Sequence, residues 1–316
     1  DIDALPILEK NEIDYKSKYD GIMHACGHDV HTSCLIGVAK ILSQLKSEFK
    51  GSVKFIFQPG EEKTPGGASL LIKEGILENP IPKTILGQHV MPFIEVGKVG
   101  FRPGKYMASS DEIYLTIEGK GGHAAMPEKL VDPVIITSHI LIALQQIVSR
   151  KSSPKTPSVL SFGNISGKGA TNVIPDFVDV AGTFRTFDEK WRAEALVLIT
   201  QMAEGIAASM GAKCKVRIEK GYPYLFNDPA YTDRNRSAAQ EYLGAENVVD
   251  LDLWMASEDF SFYSQNVKGC FYRLGTRNEA KYIVSGVHTP HFNIDEDAMK
   301  IGMGLMSWLT IQELNH

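Results

Sequence analysis

The segment 24–31 concentrates side chains that bind metal ions. His24, Cys26, His28 and His31 fall within these eight residues, directly ahead of an apolar pattern that is typical of a helix. Thiolate and imidazole groups are good ligands for zinc, manganese, cobalt and nickel ions. The alternative is a polar loop around a buried, unreactive cysteine. The cluster alone indicates a metal site without deciding between the two.

Further metal-capable side chains follow the ends of other predicted strands. Glu61 and Glu62 come after a Pro-Gly turn, His89 ends a second strand, and His288 lies in a loop before the last helix. Metal-assisted hydrolysis uses one carboxylate as a ligand and a second, free one as the base that takes a proton from water. Each residue alone could be a solvated surface group. With the cluster at 24–31 these make four junctions that carry metal-capable side chains, and together they favour a metal-dependent hydrolase.

The segments that carry these residues predict alternating helices and strands. We expect a helix over 30–46, strands over 53–57, 85–90 and 271–274, and a last helix near Asp295 with Asn293 as its N-cap. Helices that alternate with short buried strands indicate an α/β fold with a largely parallel sheet and helix-sheet-helix layers.

The middle of the chain has a different order of elements. It predicts a strand over 113–117, a helix from Asp132-Pro133 to about 148, strands over 158–162 and 177–184, a helix from Asp188 to Gly211, and a strand over 214–218. The order β-α-β-β-α-β is that of a ferredoxin-like unit. We place this satellite or dimerisation domain at 106–221, inside a catalytic domain formed by 1–105 and 222–316.

The composition of the chain indicates which classes of protein it can belong to. The 316 residues suggest two domains, and 43% hydrophobic with 22% charged residues indicate a folded chain. A net charge of −5 without a long basic run argues against nucleic-acid binding and favours a small-molecule partner. No apolar stretch approaches the length of a membrane span. Four cysteines without a CxxC motif favour a reducing, cytoplasmic location.

The first residues read like a strand that is already under way. The sequence starts with Asp1 rather than methionine. We therefore expect the natural N-terminus, and any targeting signal, to lie upstream.

Seven strings, in order along the chain, resemble the amidohydrolase branch of the aminoacylase and carboxypeptidase G metallopeptidase family. They are DIDALP (1–6), HACGHDVHT (24–32), QPGEE (58–62), GGHAAMP (121–127), NVIPD (172–176), SEDF (257–260) and HTPHF (288–292). This branch includes hippurate hydrolases, N-acyl-amino-acid deacylases, N-acetyldiaminopimelate deacetylases and auxin-conjugate hydrolases. Its members ordinarily carry several tens of residues ahead of the first string, so part of the catalytic domain is expected to be missing here. A molecule that began here would expose a sheet edge, which would put its activity in doubt.

The resemblance implies a centre of two divalent metal ions: manganese, zinc, nickel or cobalt. The implied ligands are Cys26, His28, Glu62, His89 and His288. Cys26 would take the place of a carboxylate that bridges the two ions elsewhere in the family. Glu61 would be the general base, and Asp3 and Asp29 would orient ligands.

The resemblance also assigns roles within the insert. His123 would reach across a homodimer to the other subunit's active site, and the dimers could pair into tetramers. Asn172 and Arg185 would hold the α-carboxylate of the substrate, for which a planar guanidinium is well shaped. Each of these residues could instead have only a structural role, as a turn residue or as a charge on the surface.

The implied reaction is hydrolysis of the amide bond of N-acyl amino acids, with acetyl, benzoyl or similar acyl groups, through attack of a metal-bound water. One alternative is a metallo-exopeptidase, either a carboxypeptidase or a dipeptidase, with the same centre. A second is a non-catalytic remnant that binds amino-acid conjugates. A thiol hydrolase that uses Cys26 as nucleophile is less favoured and would need no metal.

Overall fold

The computed structural model describes residues 1–316. The strands are β1 Thr84–Glu95, β2 Val99–Phe101, β3 Gly104–Met107, β4 Asp111–Glu118, β5 Gly122–His123, β6 Ser158–Ser166, β7 Val173–Ile174, β8 Phe177–Thr186, β9 Lys213–Lys220, β10 Leu225–Asn227, β11 Val248–Asp250 and β12 Lys268–Arg277. The helices are α1 His28–Gln44, α2 Gly67–Lys73, α3 Pro133–Gln146, α4 Glu189–Ser209, α5 Pro229–Leu243, α6 Phe260–Ser264 and α7 Asp297–Leu314.

The chain forms two compact units. Unit 1 comprises 1–106, 225–253 and 258–316. Unit 2 comprises 107–224 and 254–257. The candidate ligands and Glu61 lie in unit 1, whereas His123, Asn172 and Arg185 lie in unit 2.

Unit 1 is built on a mixed sheet with the strand order β1-β12-β2-β11. β1 pairs with β12 in parallel, β2 pairs with β11 in parallel, and β12 pairs with β2 in the antiparallel sense. Cys270, Tyr272 and Leu274 alternate along β12 and are buried in one core with residues of α1, α5 and α7. Since alternate residues of a strand face opposite sides, Phe271 and Arg273 face away from this core. His89 lies opposite Arg273 in the register of β1 and β12.

Helix α1 confirms the predicted amphipathic helix and begins two residues earlier than expected. Val30, Cys34, Val38 and Leu42 are buried, at the spacing of three to four residues that defines one helix face. The helix follows Gly27, which has a left-handed backbone with φ of 78°. The apolar face therefore fixes His28 at the first turn, beside the loop that carries Cys26.

Two local predictions were wrong. The segment 53–57 is not a strand, although Phe55 packs on the core of unit 1. Alternation predicts which side chains turn inward, but a strand also requires a neighbouring strand with which its backbone can pair. Asn293 does not cap the last helix, which begins at Asp297. The Asn293 side chain instead accepts a hydrogen bond from Ile294 N.

Unit 2 contains an antiparallel sheet with the order β6-β8-β4-β9. Helices α3 and α4 pack together, and their buried residues share one core with those of the sheet. The predicted caps are present: Asp132 accepts hydrogen bonds from Val134 N and Ile135 N, and Asp188 accepts one from Trp191 N. Apart from the two-residue strands β5 and β7, which pair with each other, the elements of unit 2 from β4 to β9 are β4, α3, β6, β8, α4 and β9, in the order β-α-β-β-α-β.

One helix qualifies the expectation that no segment could span a membrane. Pro133–Lys151, which comprises α3 and a π-helical turn, is long and apolar enough by length and composition alone. A third (33%) of its apolar window is buried, and Ile136, Ile140 and Leu144 pack in the core of unit 2. Core helices of folded domains pass the same test, so this is weak evidence for a membrane span.

Candidate metal centre

The structure brings all five predicted ligand residues together in unit 1. One group comprises Cys26, His28 and His89, and a second comprises Cys26, Glu62 and His288; within each group the ligand atoms lie within 4.8 Å of one another. Cys26 Sγ is 3.5 Å from His89 Nε2, and His288 Nε2 is 3.0 Å from Glu62 Oε1. The Cys26 thiol therefore belongs to two adjacent ligand groups.

A tight turn at Gly27 places Cys26 and His28 side by side. Its φ of 78° lies in the left-handed region that favours glycine. A Cβ atom at this position would lie 2.7 Å from Val90 Cγ2, so a larger residue would displace the side chain of Val90 on β1. The turn thus needs glycine for both its conformation and its packing.

His288 reaches the same centre from the far end of the chain. Its backbone N donates a 2.7 Å hydrogen bond to the carbonyl oxygen of Ala25, next to Cys26. Its φ of 61° is uncommon for a residue other than glycine and is held by the surrounding loops.

Backbone and carboxylate acceptors set the tautomers of two ligand histidines. His89 Nδ1 donates to Val90 O at 2.8 Å, which leaves Nε2 facing Cys26. His28 Nδ1 donates to Asp3 Oδ1 at 3.0 Å, and its Nε2 is buried without a hydrogen-bond partner. Metal-binding imidazoles are typically held in this way by a hydrogen bond from the second nitrogen. The other oxygen of Asp3 accepts a 3.0 Å hydrogen bond from Glu62 N, so Asp3 joins two ligand residues.

The electrostatic environment of these ligands favours the binding of a cation. Burial raises the pKa of the Cys26 thiol, and the negative charges of Glu62 and Glu61 raise it further. Burial also disfavours the charged form of Glu62, but the imidazoles of His288, 3.0 Å from Glu62 Oε1, and of His28 outweigh this effect and lower the pKa of Glu62. A divalent cation at this position would stabilise the thiolate.

Glu61 has a different environment from its neighbour. It is buried, and its carboxylate lies within 4.8 Å of those of Glu258 and Asp259. Burial raises the pKa of Glu61, and repulsion from Glu258 and then Glu62 raises it further. A carboxylate with a raised pKa beside a ligand group is suited to accept a proton.

The donor set fits borderline divalent ions. It combines one sulfur, three imidazole nitrogens and carboxylate oxygen, which suits zinc, manganese, cobalt or nickel. The buried Nε2 of His28, which has no other partner, is an independent indication that a ligand belongs there.

Asp29 is exposed on the first turn of α1, and its carboxylate accepts a hydrogen bond from Val30 N at 2.9 Å. His31, to which the sequence assigned no individual role, lies closer to the centre. Its Nε2 accepts a 3.0 Å hydrogen bond from Val90 N, and its ring centroid is 4.5 Å from that of His89. Its spacing of three residues from His28, on the same helix face, could have indicated this.

Two of the three predicted residues of the insert are neighbours in unit 2. β5 pairs with β7 so that His123 lies opposite Val173, and Ala124 N donates to Asn172 O at 3.0 Å. Arg185 is on β8 and donates to Met255 O at 3.2 Å and to Ser257 Oγ at 3.4 Å. Arg185 makes no hydrogen bond with either of the other two residues.

Comparison with known proteins agrees with the motifs. A family model described as "Peptidase family M20/M25/M40" matches residues 1–310. The N-acetyl-L-cysteine deacetylase of Bacillus subtilis (strain 168) is 41% identical over 299 residues, which are 95% of this chain and 70% of that protein. The IAA-amino acid hydrolase ILR1-like 4 of Arabidopsis thaliana is 38% identical over 309 residues, 96% of this chain and 70% of that protein.

A solved structure shares the fold over nearly the whole chain. It is the Bacillus subtilis YXEP protein, described as a dinuclear metal binding peptidase from the M20 family. The TM-score is 0.83 at 32% sequence identity, covering 99% of this chain and 79% of that one. The resemblance that the motifs indicated is therefore confirmed, and the chain belongs to the peptidase M20 family of hydrolases.

Proposed function

We propose that the protein is a metal-dependent amidohydrolase that cleaves N-acyl amino acids with acetyl, benzoyl or similar acyl groups. The observation that carries the proposal is the thiol of Cys26 shared by two ligand groups, with the buried Glu61 carboxylate beside them. The names of the two relatives at 41% and 38% identity, a deacetylase and an amino-acid-conjugate hydrolase, support this substrate class.

Two divalent cations would be held by the five ligand residues, with Cys26 shared between them. Manganese, zinc, nickel or cobalt would supply Lewis acidity, which lowers the pKa of water and polarises the amide oxygen. Asp3 would hold His28 and Glu62 in a fixed position relative to each other, because its two carboxylate oxygens accept hydrogen bonds from both residues.

Glu61 is the proposed general base. It takes a proton from the attacking water as the new C–O bond forms at the acyl carbon. It then gives that proton to the amine nitrogen as the C–N bond breaks. The raised pKa of Glu61, which arises first from burial, suits a group that must both accept and release a proton.

Unit 2 is proposed to act as the satellite and dimerisation domain. Asn172 and Arg185 would bind the α-carboxylate of the substrate, and His123 would reach the active site of the other subunit. The hydrogen bond between Ala124 N and Asn172 O supports a joint role for the His123 turn and the Asn172 loop.

A homodimer, or a tetramer made of two dimers, is the proposed assembly. The outer face of α3 exposes Val134, Ile135 and Ile142, with 42%, 52% and 75% of their surface accessible. A second copy of the chain would bury this apolar face.

A cytoplasmic location is proposed as well. The four cysteines form no disulfide bond, which is typical of proteins in a reducing compartment: Cys26, Cys34, Cys214 and Cys270.

A metallo-exopeptidase with the same centre is the second candidate. It is favoured by the solved structure at 32% identity, which is described as a dinuclear metal binding peptidase. An exopeptidase substrate would place a peptide amide where the N-acyl amide lies, so the metal ligands do not distinguish the two activities.

Turnover of matched substrates tests the proposal. The metal-reconstituted protein should hydrolyse N-acetyl and N-benzoyl amino acids faster than dipeptides with the same C-terminal residue, and a strong chelator should abolish both reactions. Faster cleavage of the dipeptides would establish the exopeptidase. Binding of N-acyl amino acids without turnover would establish a non-catalytic protein, and activity in chelator would favour a thiol hydrolase.

A further inference from the structure

A single buried carboxylate joins the two ends of the segment that carries Glu61 and Glu62. Asp259 Oδ1 accepts a 2.6 Å hydrogen bond from Gln58 Nε2, and Asp259 Oδ2 accepts a 2.9 Å hydrogen bond from Ala68 N. Gln58 precedes the segment 59–67, and Ala68 follows it. The side chain of Asp259 is fully buried, so both hydrogen bonds are shielded from water.

The amide of Gln58 is fixed from its other side as well. The hydroxyl of Tyr263 donates a 2.8 Å hydrogen bond to Gln58 Oε1. An amide oxygen accepts and an amide nitrogen donates, so this contact turns Gln58 Nε2 toward Asp259. Tyr263 lies in α6, which begins directly after Asp259. The segment 59–67 is therefore docked on this short helix.

Within the segment, the backbone closes on itself. Gly67 N donates to Gly60 O at 3.3 Å, and a Cβ atom on Gly67 would lie 1.7 Å from Pro59 O. Close approach of the two ends therefore requires glycine at position 67. The position of Glu61 between these ends therefore depends on how the ends are held, together with the hydrogen bond from Glu62 N to Asp3 Oδ2.

We propose that Asp259 is a positioning residue, which together with Gln58 and Tyr263 holds the segment 59–67 so that Glu61 can reach the attacking water. This inference rests on the proposed role of Glu61 as general base. A misplacement of a reacting group by 1 Å costs about 100-fold in rate. The Asp259 carboxylate also lies within 4.8 Å of that of Glu61, so a purely electrostatic effect is the competing explanation.

The first variant is Asp259→Asn in the metal-loaded full chain. Asparagine has the same shape but only one acceptor oxygen, so one of the two donors, Gln58 Nε2 or Ala68 N, loses its partner. We expect kcat to fall about 100-fold while KM stays within about twofold, because positioning of the base is lost but not substrate binding. Metal content should stay at the wild-type value, and amide hydrogen exchange over 59–67 should become faster.

A double variant restores the hydrogen bonds with the donor and acceptor exchanged. When Gln58→Glu is combined with Asp259→Asn, the introduced asparagine amide donates to the introduced glutamate carboxylate, and the asparagine oxygen still accepts from Ala68 N. Tyr263 still has a carboxylate oxygen to which it can donate, and the net charge is unchanged. We expect kcat to return to within about threefold of wild type, and exchange over 59–67 to slow again.

Two further variants complete the design. Tyr263→Phe removes only the hydroxyl that orients Gln58, so its kcat loss should be about tenfold, smaller than that of Asp259→Asn. If Asp259→Asn does not fold, Tyr263→Phe carries the test with the same readouts.

Asn235→Ala is the control for a loss of stability outside the segment 59–67. It removes a buried side chain of α5 that donates to Tyr231 O, so it should lower stability while kcat stays within about twofold.

Unchanged hydrogen exchange over 59–67 in Asp259→Asn would overturn the proposal, whether or not kcat falls, since a charge effect alone would then remain. Failure of the double variant to recover both readouts would also overturn it. If the wild-type protein hydrolyses no amide, the proposed function fails. The exchange data then decide by themselves whether Asp259 holds the segment.

Discussion

Adjacent glutamates in the QPGEE string have opposite electrostatic environments. Burial disfavours the charge of Glu62, but the adjacent imidazole of His288 lowers the pKa of Glu62 overall, which suits a ligand that stays ionised. Burial and then Glu258 raise the pKa of Glu61, which suits a proton acceptor. Identical side chains therefore acquire different chemistry because the backbone turns them toward different neighbours.

Glu61→Gln separates proton transfer from metal binding. The amide cannot accept a proton from water, and general acid–base catalysis contributes about 10²- to 10⁴-fold, so we expect kcat to fall by about 10³-fold. Metal content, measured by elemental analysis of the dialysed protein, should equal that of wild type. Cys26→Ala is the matched ligand variant and should lose metal, because its sulfur belongs to both ligand groups. Wild-type turnover in Glu61→Gln would remove this residue from the role of base.

One buried ion pair joins helix α4 to strand β4. Arg192 Nε and Nη2 donate to the two carboxylate oxygens of Asp111 at 2.8 and 2.7 Å. Asp111 is fully buried and Arg192 is nearly so. The bidentate geometry aligns the helix with the strand end, although a buried pair has a desolvation cost that its attraction must offset.

Asp111→Ala should destabilise unit 2 by about 3 kcal/mol, because it removes the buried carboxylate partner of Arg192 and leaves only the partly exposed Glu189 to pair with its charge. Denaturant unfolding followed by circular dichroism would measure the loss. Glu118→Ala is the control, because Glu118 pairs with Lys215 at the exposed end of β4, and its loss should cost less than about 1 kcal/mol. Equal losses in the two variants would show that burial does not increase the contribution of the Asp111–Arg192 pair to the free energy of unfolding.

The exposed apolar face of α3 and the proposed role of His123 predict that activity depends on assembly. Ile142→Glu places a charge on this face and should convert the proposed dimer into monomers, measured by light scattering after gel filtration. The monomers should keep their metal and lose turnover by at least about tenfold, since His123 would come from the other subunit.

Ile81→Glu is the matched control, because Ile81 is 80% exposed and belongs to unit 1, whereas α3 belongs to unit 2. This variant should remain a dimer with wild-type activity. A fully active Ile142→Glu monomer would contradict the role of His123 across the dimer.

Periodicity and caps predicted most of the elements, because they are local properties. The apolar spacing of α1 and the caps Asp132 and Asp188 depend on residues within one or two helical turns. The segment 53–57 failed because strand formation depends on a partner that alternation does not reveal. Local patterns also do not reveal that His28 is buried while the adjacent Asp29 is exposed on the helix surface.

The strings from DIDALP to HTPHF are sufficient to identify the family and the types of ligand side chain, and the resemblance already implied that Cys26 lies between two ions. The folded chain adds that Asp3 binds both His28 and Glu62. It also showed that Asp259 holds both ends of the Glu61 segment. These relations join residues far apart in the chain, and only the packing of the folded elements brings their atoms within hydrogen-bonding distance.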